Sequence, residues 1–187
     1  MRINFIKNSL FIWNIADPIY FQFTRLEHVK NKSGKRTIMR VRLTKYKGRK
    51  ITLSDGTEIN KNDLLLKVHL HNIKLLRQIQ DYNSEVRRAL MIYKSVQESL
   101  PAIVRHVKTK GYTDEIKGLI GITMLYKGCT KLGFETHSIQ NRFYRQFKQL
   151  ALLPIHLLAS KKIAKEIPEP MYLFMSRDGL LNKYDNM

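Results

Sequence analysis

Between Ile38 and Asn72 apolar and polar side chains alternate with a period of two. This is the pattern of strands that bury one face, because successive side chains of an extended chain point to opposite sides. It turns Met39, Val41 and Leu43 towards a core and Arg40, Arg42 and Thr44 outward. After Gly48, Ile51 and Leu53 read as a second strand. The following S-D-G-T, residues 54–57, is a reversal signal, since glycine accepts a positive φ at little cost. A third strand, Leu64 to His71, turns Leu64, Leu66, Val68 and Leu70 inward and leaves Leu65, Lys67, His69 and His71 on the other side.

The period then changes. Ile73, Leu76 and Ile79 recur at helical spacing through Gln80, and Ser84 caps a longer helix in which Val86, Leu90, Tyr93, Val96, Leu100 and Val104 share an apolar face. Pro101 is expected to kink this helix or restart it after Ser99, and Gly111 to stop it. Leu119 to Leu125 predicts a buried strand, Lys127 to Leu132 a short helix closed at Gly133, and Phe134 to Ile139 another strand. A single helix from Ile116 to Leu132 is the alternative. The three glycines in that span favour the strand, since each weakens a helix interior by about 1 kcal/mol relative to alanine.

Asn141 caps a basic amphipathic helix carrying Arg142, Arg145 and Lys148, with Phe143, Phe147 and Leu150 on its apolar side. It continues past Pro154, an expected kink, and Met171 to Met175 reads as a last buried strand before a terminal helix capped by Ser176. At the start of the chain, residues 3–16 predict an apolar helix, and Asp17 with Pro18 opens a second one over 19–27. The two segments pack on the sheet or lie on a membrane surface, with Trp13 and Tyr20 at headgroup level flanked by Lys7 and Arg25. The apolar run Leu10 to Ala16 is too short to cross a bilayer, is broken by Asn14 and lacks a small-x-small cleavage pattern. Neither a spanning helix nor a cleaved signal is expected, which favours a cytoplasmic protein, peripheral at the membrane if the first segment touches lipid.

Composition adds one strong feature. Thirty-four Lys and Arg against fifteen Asp and Glu leave a formal charge of +19 over 187 residues. From His28 to Thr52 there are ten Lys or Arg and no acid, and from Thr136 to Lys165 six and none. Such a surface attracts polyanions: nucleic acid, anionic lipid, or an anionic glycan. A chain of this length suits one domain that buries roughly 70% of its unfolded surface and needs no disulfide or metal to fold. The single cysteine, Cys129, forms no intramolecular disulfide and fits a reducing compartment.

The candidate chemistry is sparse. There is no P-loop, dinucleotide fingerprint, G-x-S-x-G or zinc-finger spacing. His69 and His71 stand at i and i+2 on one strand face, as do Glu135 and His137 on another strand. If the two strands were neighbours, the four would offer a divalent metal its ligands; the alternative is that they are hydrogen-bonded structural groups. His69 or His71, paired with Asp63 or Asp55, are the candidate acid–base residues, since imidazole titrates near neutrality, and His137 is a further catalytic candidate. Cys129 follows Gly128 at a possible helix start, where a thiolate would be stabilised; a buried, inert thiol is the alternative. Arg40, Arg42, Lys45, Lys47, Arg49 and Lys50, with Arg142 and Arg145, are the candidate anion-binding residues, and Tyr46 among them is the only aromatic a nucleic-acid platform would find there.

Several blocks in one order resemble the YkoP family of Bacillus and relatives: D-P-I-Y near the start, then R-V-R-L-T-K-Y-K-G, L-S-D-G-T, K-N-D-L-L-L-K-V-H-L-H-N, G-I-T-M-L-Y-K-G, L-G-F-E-T-H and M-S-R-D-G-L-L-N-K-Y. The resemblance runs from about Phe11 to Tyr184. Similar domains are fused behind polysaccharide deacetylase domains in other Gram-positive proteins, which implies work on envelope polysaccharide with a deacetylase or glycosyltransferase acting in trans. It implies no catalytic residues. The fold expected is a single α+β domain with a mixed, largely antiparallel sheet of about five or six strands flanked by helices. The function expected is an accessory protein that binds an anionic glycan or lipid-linked precursor without a cofactor. The alternatives are an enzyme of the same pathway built on the histidines, and an RNA-binding protein.

Overall fold

The computed structural model describes residues 25–159 and 167–187. The helices expected over residues 3–16 and from 19 lie outside these residues, except that Glu27 opens a strand rather than closing a helix. Six strands form one sheet: β1 (Glu27–Lys30), β2 (Arg36–Lys45), β5 (Leu64–Leu70), β6 (Gly118–Thr123), β8 (Met171–Ser176) and β7 (Glu135–Ser138), in that spatial order. All neighbours are antiparallel except β5 and β6, which run parallel. A parallel neighbour needs a long crossover, and helices α1 (Asn72–Ile79) and α2 (Glu85–Thr109) supply it. This is the mixed, largely antiparallel α+β sheet that the patterning predicts.

The inner face buries Met39, Val41, Leu66, Leu119 and Met175 against α1, α2 and the terminal helix α4 (Arg177–Tyr184). The alternation assigned Met39, Val41 and Leu66 to this face correctly. Ser84 caps α2 as expected, its hydroxyl accepting from the Arg87 N–H, and Ser176 caps α4, accepting from the Gly179 N–H at 2.9 Å. Strand β6 replaces the competing helix over 116–132, and a 3-10 turn, Cys129–Leu132, ends at Gly133 with φ +88°.

Three expectations are corrected. The Ile51 strand is not part of the main sheet: β3 (Ile51–Thr52) and β4 (Glu58–Ile59) form a separate hairpin. It covers the outer face, where Leu53, Ile59, Leu65, Ile120 and Phe174 make a second apolar cluster. Helix α2 runs unbroken through Pro101; the hydrogen bond lost is to the carbonyl of exposed Gln97, which water can satisfy. The apolar face drawn on α2 holds only in its second half. Leu100, Ile103, Val104 and Val107 are buried, whereas Val86 and Leu90 are exposed.

Candidate functional site

The outer sheet face brings Arg40, Arg42 and Lys67 together. Arg40 pairs across the strands with His69, and Arg42 with Lys67. Side chains directly opposite in an antiparallel pair lie about 5 Å apart at Cβ, so the alternation that sends Met39 and Val41 inward stacks these cations side by side. Arg40, expected to face solvent, is 5% exposed: its face is covered. Helix α3 (Arg142–Ala159), capped by the Asn141 carboxamide oxygen accepting from the Tyr144 N–H, packs against α1 and α2. It brings Lys148 close enough to depress the pKa values of Lys67 and His69. Further along, Leu152 packs on the inner-face core.

The charged neighbours that shift Lys67 and His69 are cations. Burial, then Lys148 and Arg42, pull the Lys67 ammonium down to about 8. Burial, then Lys67, Arg42, Lys148 and Arg40, push the His69 imidazole down to about 3, so it is neutral at any physiological pH. Lys148 itself is lowered, by burial and by Arg42, and its ammonium sits 5.3 Å from the Tyr144 ring centroid and 5.6 Å from that of Phe147.

Beside the cluster lies a cavity of about 880 Å³ that wraps around the end of the sheet. Arg40, Lys67, His69 and Lys148 line it on the outer side. On the inner side its wall is mostly apolar, with Ile92, Tyr93, Val96, Met124, Leu125 and Leu173, bordered by Glu85 and Lys127. Gly121 helps make the room, because a Cβ there would come within 3.3 Å of Val68. The volume and the apolar lining with a few polar groups on one side are those of sites that take small molecules.

The four candidate metal ligands do not meet. The register runs His69, Ile122, Tyr172, His137 along one row of the sheet, so β6 and β8 stand between the two histidines. Three strand spacings put them roughly 14 Å apart. His71, just past β5, instead holds its ring 6.0 Å from that of His28. Glu135 is occupied by the hairpin: its Oε1 accepts from the Ser54 N–H at 2.9 Å and from the Ser54 hydroxyl at 2.7 Å, with His137 Nε2 4.0 Å from its Oε2. Among the described residues no three His, Cys, Asp or Glu side chains stand where they could share a metal ion.

The acid–base pairs also come apart. Asp63 sits at the opposite end of β5 from His69 and closes a turn by accepting from the Asn60 N–H at 2.7 Å. Asp55 accepts from the Ser176 hydroxyl and from the Thr57 N–H. Cys129 is the inert thiol of the two readings: burial raises its pKa to about 11.

Of the candidate anion-binding residues, only Arg40 and Arg42 lie in the cluster. Lys47 donates to Asn62 at 2.9 Å, Lys50 pairs with Glu58 at 2.7 Å, and Lys45 and Arg49 are exposed around the hairpin. Arg142 is exposed, and Arg145 lies 3.5 Å from Glu169. Tyr46 is no stacking platform, being buried edge-on against Phe174 with centroids 5.6 Å apart. Sequence reasoning passed over Lys67 as an anion ligand and treated Lys148 only as part of a basic helix. The i, i+2 spacing of Lys67 and His69 was the available signal for the first; nothing local places Lys148 over β5.

Fold and site thus define an α+β domain whose single mixed sheet carries a covered cationic face beside an apolar cavity. The chain belongs to the YkoP domain family, whose model matches residues 7–184. It is 46% identical over 176 residues to the uncharacterized protein YkoP of Bacillus subtilis (strain 168), covering 94% of this chain and 95% of that one. No solved structure matches it significantly.

Proposed function

We propose that this protein binds an amphiphile with an anionic head, such as a lipid-linked glycan precursor, as an accessory of envelope polysaccharide metabolism. The observation that carries this reading is that Arg40, Lys67 and Lys148 line one side of a cavity whose other side is mostly apolar, with Arg42 opposite Lys67 on the neighbouring strand. Burial and neighbouring cations disfavour the Lys67 and Lys148 ammonium groups, and a phosphate or carboxylate head would offset that cost. The hydrocarbon part then gains from the apolar wall. The envelope context rests on the fusion of similar domains to polysaccharide deacetylases. A histidine-based enzyme has less support, since His69 has neither Asp63 nor Asp55 at hand.

The test is titration of the full chain with a polyprenyl phosphate and with the uncharged polyprenol, both in neutral detergent. The phosphate should bind at least about tenfold more tightly than the alcohol, because a hydrogen bond to a charged group contributes about 1.5–3 kcal/mol. Lys67→Met should remove that preference. Equal affinity for phosphate and alcohol, or no binding of either, would overturn the reading.

A further inference from the structure

Helix α3 is turned the opposite way from the one its sequence predicts. At 100° per residue, Phe143, Phe147, Leu150 and Ala151 share one side of the helix, and Tyr144, Arg145, Lys148 and Leu152 the other. An ordinary surface helix buries the first set and exposes the second. Here Phe143 is 83% exposed, Phe147 62% and Leu150 71%, while Tyr144, Arg145, Lys148 and Leu152 are half-buried towards the sheet. The polar side is drawn inward because Lys148 and Tyr144 lie beside the outer-face residues Lys67 and Tyr172. The consequence is an apolar stripe, two turns long, that the described residues leave exposed.

We propose that this stripe docks the protein on a bilayer containing anionic lipid. Large apolar side chains on one side of a helix with cations at its border is the pattern of helices that lie in the headgroup plane. Arg142 stands exposed at the border, and the chain as a whole carries a formal charge of +19. Charge selects the occupant. A second copy of the chain would bring another +19 against the first, whereas an anionic bilayer takes the phenylalanines into its acyl boundary and the cations at its headgroups. The placement also fits the cavity. Phe147 and Ala151 line it as well as belonging to the stripe, so a docked molecule would bring that part of its wall to the lipid. Exposed Ala89, on α2, lines the same cavity. The stripe is independent of what the cavity binds.

Flotation of the full chain with vesicles tests the proposal. The protein should float with vesicles of phosphatidylcholine containing one-third phosphatidylglycerol and stay behind with phosphatidylcholine alone. Phe143→Ser with Phe147→Ser should lower partitioning by at least about tenfold, since each lost phenylalanine forfeits apolar burial, with an unchanged circular dichroism spectrum because both side chains are exposed. Lys67→Met should keep flotation while losing the preference for polyprenyl phosphate, which separates docking from ligand binding. Docking is overturned if the parent fails to float with the anionic vesicles, or if the double variant floats equally well. It is also overturned if the double variant turns a dimer into a monomer while the parent shows no vesicle binding, which would make the stripe a contact between copies.

Discussion

Arg42 and Lys67 stand directly opposite one another on β2 and β5, two like charges in one cross-strand pair. Opposed like charges destabilise a sheet, and here they lie on a covered face with Lys148 brought to them by a third element. This is the basis of the proposed recognition surface: an anion placed between Lys67 and Lys148 would relieve their mutual repulsion.

Lys67→Met should therefore stabilise the unliganded protein. Removing one member of an opposed like-charge pair is expected to gain about 0.5–1 kcal/mol, a rise of roughly 1–4 °C in Tm for a chain of this size. Calorimetry checks it. A fall in Tm would mean that the ammonium is stabilising where it stands and that the cluster is not strained.

The pH dependence has a definite sign. His69 titrates at about 3 in the fold and near 6.5 when unfolded, so from pH 6.5 downward the unfolded chain binds a proton that the folded one refuses. Stability from this group is level above about 6.5 and falls as pH drops towards 3, by on the order of a few kcal/mol in all. Urea midpoints measured across that range should show the slope, and His69→Gln should flatten it. Lys67 acts in a different window: with its ammonium at about 8 in the fold against 10.5 unfolded, stability rises as pH is raised from about 8 to 10.5. Lys67→Met should abolish that rise and make the acid limb shallower, since Lys67 is one of the cations that hold the His69 pKa down.

Glu135 ties the β3–β4 hairpin to the edge of the main sheet through two bonds from Ser54. Glu135→Ala is expected to cost about 1 kcal/mol, since both groups are partly hydrated and the bonds are to a charged acceptor. Limited proteolysis should cut the hairpin around Ser54–Thr57 faster in the variant. Unaltered cleavage would mean that the apolar cluster under the hairpin holds it unaided.

Gly118 is required by its neighbour. A Cβ at this position would lie 2.2 Å from the Met175 carbonyl oxygen, a backbone atom fixed by the β6–β8 pairing. Gly118→Ala should cost about 2–3 kcal/mol through displacement of the paired strands. Gly56→Ala meets no atom within 4 Å and suffers only its φ of +84°, so about 1 kcal/mol is expected there. Chemical denaturation of the two variants gives the comparison.

Strand alternation made much of the fold legible. Met39, Val41, Leu66 and Leu70 fell on the inner face because period-two geometry is local, and Ser84, Asn141 and Ser176 were readable as caps because a cap acts within three residues. Strand β1 was missed because four residues, Glu27–Lys30, are too few for a period to emerge. The hairpin's separation from the main sheet was missed because two-residue strands carry no sign of which edge they join.

The candidate site divides along the same line. The sequence by itself determined that the cations of β2 and β5 share a face, that the chain is strongly basic, and that it belongs with the YkoP domain family. Only the tertiary structure decided that His69 and His137 are three strands apart, that Lys148 faces Lys67, and that Phe143, Phe147 and Leu150 face outward. The reason is range. A side chain's direction follows from the dihedral angles of its own element, whereas strand order and the rotation of a helix about its axis are set by contacts between elements far apart in the chain.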